Sequence, residues 1–399
     1  MPALPNQLPS ASSSSLACPP LKAEIKSSLQ GLETPAVVIE QSKLQANIDL
    51  GAEIASAGGV LIRPHVKTHK SISIARLQLA AGATGVTSAK SEEAEVFLRN
   101  GIQSLTLAHP LVDSVKIVRL IQVAAEQDAD VRFIADSLVG IEVIGAAAAD
   151  FGRVAPVFVK VDVGLGRCGV DPAGPQAEVL AKAIVRSENL QFCGLLSHAG
   201  HAYAATGPDG VHAIASRERE TMKELADRLR SIGIEVPEIS VGSTPTLLAH
   251  DGFEGLTEVQ PGNYVFLDLT QVALGLTSLS QIALSVIATV VSCNSDYAII
   301  DAGSKVLSSD RGPHGSDNLK GYGLAFPLDD SLEQGMTVAR LSEEHGFVYH
   351  KGHVLRIGSR LRIFPNHSCV VTNLAASLWI VDENGKLEEW PVDARACVH

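Results

Sequence analysis

The sequence predicts an α/β chain in which a (β/α)₈ barrel is followed by a smaller, mostly antiparallel β-domain. Three observations carry this reading. Short apolar runs alternate with helical segments from about residue 35 to about residue 270. After that point the long helices stop, and short strands separated by Gly, Asp and Ser take over. The core must also be aliphatic, because 46% of the 399 residues are hydrophobic and only 4% aromatic. Parallel strands buried on both faces have this composition, and the length exceeds one ordinary domain.

In chain order, residues 1–30 read as a disordered tail. The first twenty residues are rich in Ser, Pro and Ala and lack Lys, Arg and an apolar h-region, so they match neither a secretory signal nor an Arg-rich transit peptide. Residues 31–272 read as the barrel. Its strand candidates are 36–40, 59–65, 85–89, 104–108, 131–135, 157–163, 192–198, 238–242 and 258–266. That is one more than eight, so one is a surplus or accessory strand. Helical segments lie at 42–57, 91–100, 112–127 and 214–232, with Ser91 as an N-cap and Glu92 and Glu93 acidic in the first turn. Residues 273–399 read as the β-domain, with strand candidates 283–292, 297–300, 359–364 and 376–381.

Several functions are excluded early. A formal net charge of −12 argues against a nucleic-acid surface. No apolar run reaches the length of a membrane span. The six cysteines are scattered without a CxxC pair, which suits a reducing compartment, and a cytoplasmic protein is expected.

The densest chemistry is Arg63-Pro64-His65-Val66-Lys67-Thr68-His69-Lys70, which closes the apolar run at 59–62. Catalytic groups of barrels gather at the carboxyl ends of strands. Neighbouring cations and partial burial disfavour an ammonium ion, so a lysine here can act as a neutral amine and form a Schiff base with an aldehyde. A basic surface turn is the plain alternative. The segment 161–169 holds a literal GxGxxG at Gly164, Gly166 and Gly169. Pro172 and Pro175 follow, and they disfavour the immediate helix that a dinucleotide fingerprint needs. A tight loop presenting Arg167 to an anionic oxygen fits better.

His198, in Ser197-His198-Ala199-Gly200-His201-Ala202-Tyr203, can stack on a planar ring or carry a proton. An ordinary hydrogen-bonded histidine is the alternative. Gly242, Ser243 and Thr244, with Gly262 and Asn263, follow the last two barrel strands, where barrels commonly bind phosphate. Within Pro365-Asn366-His367-Ser368-Cys369, residues two apart in an extended segment share a face. His367 and Cys369 can therefore meet on one metal, and imidazole plus thiolate suits zinc. Two ligands leave the shell to be completed by water or substrate; chance pairing is the alternative.

Taken together and in order, the stretches at 63–70, 161–170, 197–203, 241–246, 260–266, 301–305, 342–346 and 365–369 make the chain resemble a known group. It is similar to the D-serine dehydratase and D-threonine aldolase family of pyridoxal-phosphate (PLP) enzymes, which share the alanine-racemase-like barrel. The resemblance covers almost the whole chain after the tail. It implies that Lys67 holds PLP as a Schiff base, Arg167 lies beside the phenolic oxygen, His198 packs on the ring, and Tyr203 lines the pocket. Gly242, Ser243, Thr244, Gly262 and Asn263 become the phosphate cradle, with Lys67 and His198 as the catalytic pair. His367 and Cys369 become metal ligands, for zinc first and manganese or magnesium as alternatives.

Alanine racemases place an arginine against the pyridine nitrogen. Here the resemblance puts the neutral Gln260 in that neighbourhood, which favours a stronger electron sink and a lyase over a racemase. The implied activity is a lyase of β-hydroxy D-amino acids, with conversion of D-serine to pyruvate and ammonia as the first reading. D-threonine aldolase and 3-hydroxy-D-aspartate lyase are the alternatives. The His-x-Cys pair and the 197–203 and 243–246 stretches are dehydratase-like, whereas 161–170 and Asn373-Leu374 are aldolase-like. The family is also homodimeric, with its site between one subunit's barrel and the partner's β-domain.

Overall fold

The computed structural model describes residues 18–313, 319–329, 332, 334–350 and 352–399. Most of the expected tail, residues 1–17, lies outside these. The end of that tail is not tail at all, because Ala23–Gly31 is a helix. Ile25 and Leu29, one turn apart, are buried with Leu32, Val38, Ile287 and Val381. That apolar face gives the segment the packing that a disordered tail lacks.

Strand β1 (Ala36–Glu40) is the surplus candidate: it joins the second sheet, not the barrel. The barrel comprises β2 (Leu61–Ile62), β3 (Val86–Ser88), β4 (Ser104–Leu107), β5 (Asp130–Ala135), β6 (Ala155–Lys160), β7 (Leu190–Leu196), β8 (Glu238–Val241) and β9 (Glu258–Val259). Their order is β2-β9-β8-β7-β6-β5-β4-β3, with every neighbouring pair parallel. An isolated parallel bridge between His65 and Thr87 closes the ring. Strands β2 and β9 are shorter than expected. Pro261 has no N–H to continue a ladder, and Asn263–Val265 coils into a 3₁₀ turn.

Helices on the outside largely follow the expected spans: Gln41–Ala57, Ser91–Arg99, Ser114–Glu126 and Gly207–Ser231. Ser91, expected as an N-cap, is instead the first helical residue; Lys90 takes the cap position without a side-chain bond. The Ser91 hydroxyl donates to the His399 carbonyl oxygen at 3.2 Å.

Inside the barrel, toward the amino ends of the strands, lies a buried ion cluster. Glu258 accepts from Arg63 Nε at 2.8 Å, from Arg132 Nη2 at 3.0 Å and from the Ser240 hydroxyl at 2.9 Å. Arg132 also donates to Glu238 at 2.7 Å and to Thr106 Oγ1 at 2.9 Å, with its guanidinium 4.9 Å over the Phe158 ring. The charges are fully hydrogen-bonded, the condition under which buried ions are tolerated.

The second sheet adds β10 (Leu284–Cys293), β11 (Tyr297–Ile300), β12 (Gly323–Pro327), β13 (Met336–Leu341), β14 (Gly346–Tyr349), β15 (Arg360–Pro365), β16 (Ser377–Val381) and β17 (Leu387–Pro391). Its order is β11-β14-β13-β12-β15-β10-β1-β16-β17, and an extra β10–β11 pairing closes six strands into a small barrel. Only β1–β16 is parallel. One compact unit holds residues 48–202, 211–264 and 392–399; the other holds 203–210, 265–391 and the described part of 1–47. Among the described residues, no helix is long and apolar enough to cross a membrane.

Candidate active site

The chain leaves β2 through Arg63-Pro64 and turns in a short 3₁₀ segment, Val66–Thr68. Lys67 on this turn is half-buried, whereas Lys70 is buried. Lys70 Nζ lies 2.8 Å from Glu93 Oε1 and donates to the Cys397 carbonyl oxygen at 3.1 Å. That amine is committed to structure, which leaves Lys67 as the candidate nucleophile. Burial holds His65 well below the usual imidazole range, reinforced by the charges of Lys67, His198 and Arg167. His198 is depressed in the same way by burial, then by Lys67 and Lys160. These groups therefore lie close enough to feel one another's charge at the carboxyl ends of β2, β6 and β7.

His198 Nδ1 pairs with the Gly242 carbonyl oxygen at 3.0 Å. A carbonyl only accepts, so Nδ1 carries a proton, and the depressed pKa favours the neutral ring. Arg167 lies exposed on the glycine loop, whose amides are held by two carboxylates: Asp136 Oδ2 accepts from Gly169 at 2.9 Å, and Asp162 holds amides that precede Arg167. Asp162 Oδ1 accepts from the amides of Gly164, Leu165 and Gly166 at 3.0, 2.9 and 3.1 Å. The next helix begins only at Gln176, so the GxGxxG is not a dinucleotide fingerprint.

After β8, Gly242 adopts φ +114°, a region open to glycine. Ser243 caps the short helix Thr244–Leu248 in a reciprocal arrangement with Thr246. The Thr244 hydroxyl is buried with no hydrogen-bond partner among the described residues. After β9, Gly262 lies against the lysine turn; a Cβ there would sit 3.0 Å from Thr68 Oγ1 and 3.3 Å from His65 Cβ. Asn263 is buried beside it. Gln260 Nε2 donates to the Ser197 carbonyl oxygen at 2.9 Å, so the amide oxygen is the end left to face other groups. Tyr203 is buried on the 3₁₀ turn Gly200–Ala204 and is itself assigned to the second compact unit. An amine, a neutral imidazole and a small-residue turn with an orphaned buried hydroxyl fit PLP.

The second cluster is in the β-domain unit. Strand β15 ends at Pro365, and the expected extended run through Cys369 does not form. His367 is the N-cap residue of the helix Ser368–Leu374, and Cys369 lies in its first turn. Asp268 Oδ2 accepts from the Ser368 amide at 3.0 Å and fixes this strand-to-helix turn. His367 and Cys369 still meet. Burial would lower the imidazole, but Cys369, Asp310 and Asp268 outweigh it and raise it to about 10. His367 Nδ1 pairs with Asp310 Oδ2 at 2.7 Å, the kind of carboxylate partner that orients histidine metal ligands, and the ring also hydrogen-bonds Cys369. Among the described residues no group of three or more His, Cys, Asp or Glu could hold a metal. A nitrogen–sulfur pair needing outside ligands fits a zinc site of the open kind. Cys369→Ala is expected to lower metal occupancy while leaving bound cofactor, as read by elemental analysis beside cofactor absorbance; unchanged metal content would remove Cys369 from the ligand set.

Comparison with known proteins identifies the family. The alanine racemase N-terminal domain model matches residues 39–270, and the putative serine dehydratase domain model matches residues 283–381. The D-threo-3-hydroxyaspartate dehydratase of Delftia sp. is 32% identical, over 92% of this chain and 98% of that one. The chain belongs to the D-serine dehydratase and D-threonine aldolase family. The D-serine dehydratase of Dictyostelium discoideum is 29% identical over 90% of this chain and 96% of its own. The solved D-threonine aldolase of Filomicrobium marinum is 31% identical, with a TM-score of 0.82 over 93% of this chain and 98% of its own. The solved Delftia enzyme superposes with a TM-score of 0.84 over 91% of this chain and 98% of its own, and its solved forms include a metal-free cysteine mutant.

Within this family frame, sequence reasoning missed three residues. Lys160 ends β6, where burial pushes its amine down to about 8. Its signal was a lone charge inside the apolar run 157–161. Asp310 stands 57 residues from His367 and carried no local signal. Glu218 lies in the charged helical stretch at 214–232 and carries no signal of its own in the sequence.

Proposed function

We propose that this chain is a PLP-dependent, metal-assisted lyase of β-hydroxy D-amino acids, with D-serine dehydration to pyruvate and ammonia as its first reading. The observation that carries it is the convergence of His367 and Cys369 into a nitrogen–sulfur pair, because a racemase needs no metal at the β-hydroxyl. When bound, PLP supplies an electron sink for the substrate Cα and the metal a Lewis acid for the β-hydroxyl. Lys67 would hold the cofactor through its aldehyde carbon, and its Nζ would be the base for the substrate Cα proton. His198 packs a neutral ring against the cofactor without adding charge. Arg167 offsets the charge of the phenolic oxygen, and the turn Gly242–Thr244 with Gly262 and Asn263 holds the phosphate. Gln260 presents an acceptor oxygen and no positive charge, which leaves a ring-nitrogen proton in place.

In dehydration the Cα proton goes to Lys67 and hydroxide leaves Cβ; the released enamine takes up water to give keto acid and ammonia. Aldol cleavage is the second reading, favoured by the glycine loop at 161–170 and by the aldolase among the relatives. There the β-hydroxyl proton is removed and the Cα–Cβ bond breaks. A product assay with PLP and zinc or manganese separates the two. Pyruvate from D-serine, or 2-oxobutyrate from D-threonine, with ammonia is the expected result. Glycine with acetaldehyde from D-threonine would overturn dehydration in favour of the aldolase. The reading includes a homodimer in a reducing, cytoplasmic setting, and no disulfide joins the six cysteines. A monomer mass for the active preparation would remove the dimer from it.

A further inference from the structure

Glu218 sits in the middle of the helix Gly207–Ser231 and is 2% exposed. A carboxylate so placed needs hydrogen bonds to offset its lost hydration. Its Oε1 accepts from the Ser197 hydroxyl at 2.6 Å and from the Gly242 amide at 3.3 Å, and the Ala199 amide also bonds the carboxylate. These three donors come from two different strand ends. Ser197 and Ala199 flank His198 after β7, and Gly242 opens the phosphate turn after β8. The two peptide groups flanking the Gly242 Cα are thus both held, the N–H of the first on Glu218 and the carbonyl of the second on His198 Nδ1 at 3.0 Å. That carbonyl fixes which imidazole nitrogen carries the proton, so whatever anchors Gly242 also bears on His198.

We propose that Glu218 is a positioning residue for the cofactor: by anchoring Gly242 and the residues on either side of His198, it sets both the phosphate turn and the tautomer of His198. It touches neither cofactor nor substrate. Lys160, whose charge reaches both Glu218 and His198, is the cation that offsets the buried carboxylate. The proposal rests on the PLP reading above, so its test reads cofactor binding and not turnover.

Glu218→Gln keeps an oxygen that can accept the Ser197 and Gly242 bonds, whereas Glu218→Leu fills similar volume without an acceptor. PLP affinity is measured by visible absorbance on reconstituting the protein, and ring orientation by visible circular dichroism of the bound cofactor. Thermal unfolding is followed separately. We expect the Leu variant to bind PLP about 10–100-fold more weakly with reduced ellipticity, the scale at which supporting residues act on bound groups. The Gln variant should stay within about threefold of wild type, since neutral hydrogen bonds contribute only modestly. Equal affinity and ellipticity for Gln and Leu would overturn the proposal, because packing alone would then explain the residue. If the Leu variant does not fold, Ser197→Ala takes its place. It releases β7 from the carboxylate, and unchanged affinity and ellipticity there would count against Glu218 equally. Wild-type protein that takes up no PLP would overturn the cofactor reading first, an outcome distinct from a wild type and a Leu variant that bind alike.

Discussion

Lys67→Ala is expected to abolish the visible absorbance of lysine-bound PLP and to cut turnover by about 10²–10⁴-fold or more, the range attached to a lost proton-transfer group. Covalent attachment and the Cα base disappear together, so free PLP added in excess should not restore the rate. Lys70→Ala is the matched control and should behave differently. It leaves the Glu93 carboxylate without its buried partner at 2.8 Å, a change that costs about 3–5 kcal/mol of stability. The absorbance of lysine-bound cofactor should survive in whatever fraction folds. Absorbance that persists in the Lys67 variant and vanishes in the Lys70 variant would reverse the assignment.

Glu258→Ala is expected to have the largest effect on stability. It leaves the buried Arg63 guanidinium without its carboxylate and Arg132 with Glu238 alone. Breaking one side of such a buried cluster costs about 3–5 kcal/mol, a large share of the roughly 5–15 kcal/mol that holds a domain together. Urea unfolding of apo-protein reads this directly, and a loss under about 1 kcal/mol would mean that water reaches the arginines. The same carboxylate makes the barrel acid-labile. Burial alone would raise its pKa, but Arg63, Arg132 and the hydrogen bonds outweigh burial and hold it below its ordinary 4.5. Its folded pKa is lower than its unfolded one, so its stabilisation is complete above the unfolded value. It is lost as pH falls through the folded value.

How much of this was legible depended on whether a signal was local. The alternation of apolar runs and helices gave the barrel, and the lysine turn, the glycine loop and the His-x-Cys pair were visible as short strings. The structure then supplied what spacing could not. Glu93 and the Cys397 carbonyl, far along the chain, hold Lys70 in a structural role that the octapeptide alone does not reveal. The approach of His367 to Cys369 was foreseen, but through the wrong geometry: a strand-to-helix turn tied by Asp268 replaces the extended segment. Strands β2 and β9 shrank because Pro261 and the turns around it withdraw backbone groups from the ladder. Asp310 and Glu218 act across 57 and 24 residues, and a single sequence carries no trace of such pairings. The helix Ala23–Gly31 was lost inside a tail whose composition was set by its first twenty residues.

Strand β1 has a consequence for the order in which the protein comes off the ribosome. It is completely buried and apolar apart from Glu40, yet its ladder partners are Leu284–Ile287 of β10 and Trp379–Val381 of β16. Those residues are made more than two hundred positions later. The strands of the eight-membered ring all lie between residues 61 and 259, so that ring can close while β1 still waits with both edges open. Pairings of such long sequence separation are slow, and an unpaired apolar strand is a sticky one. The nascent chain therefore carries an apolar strand without its ladder partners for most of its synthesis, a condition under which unfolded chains tend to aggregate.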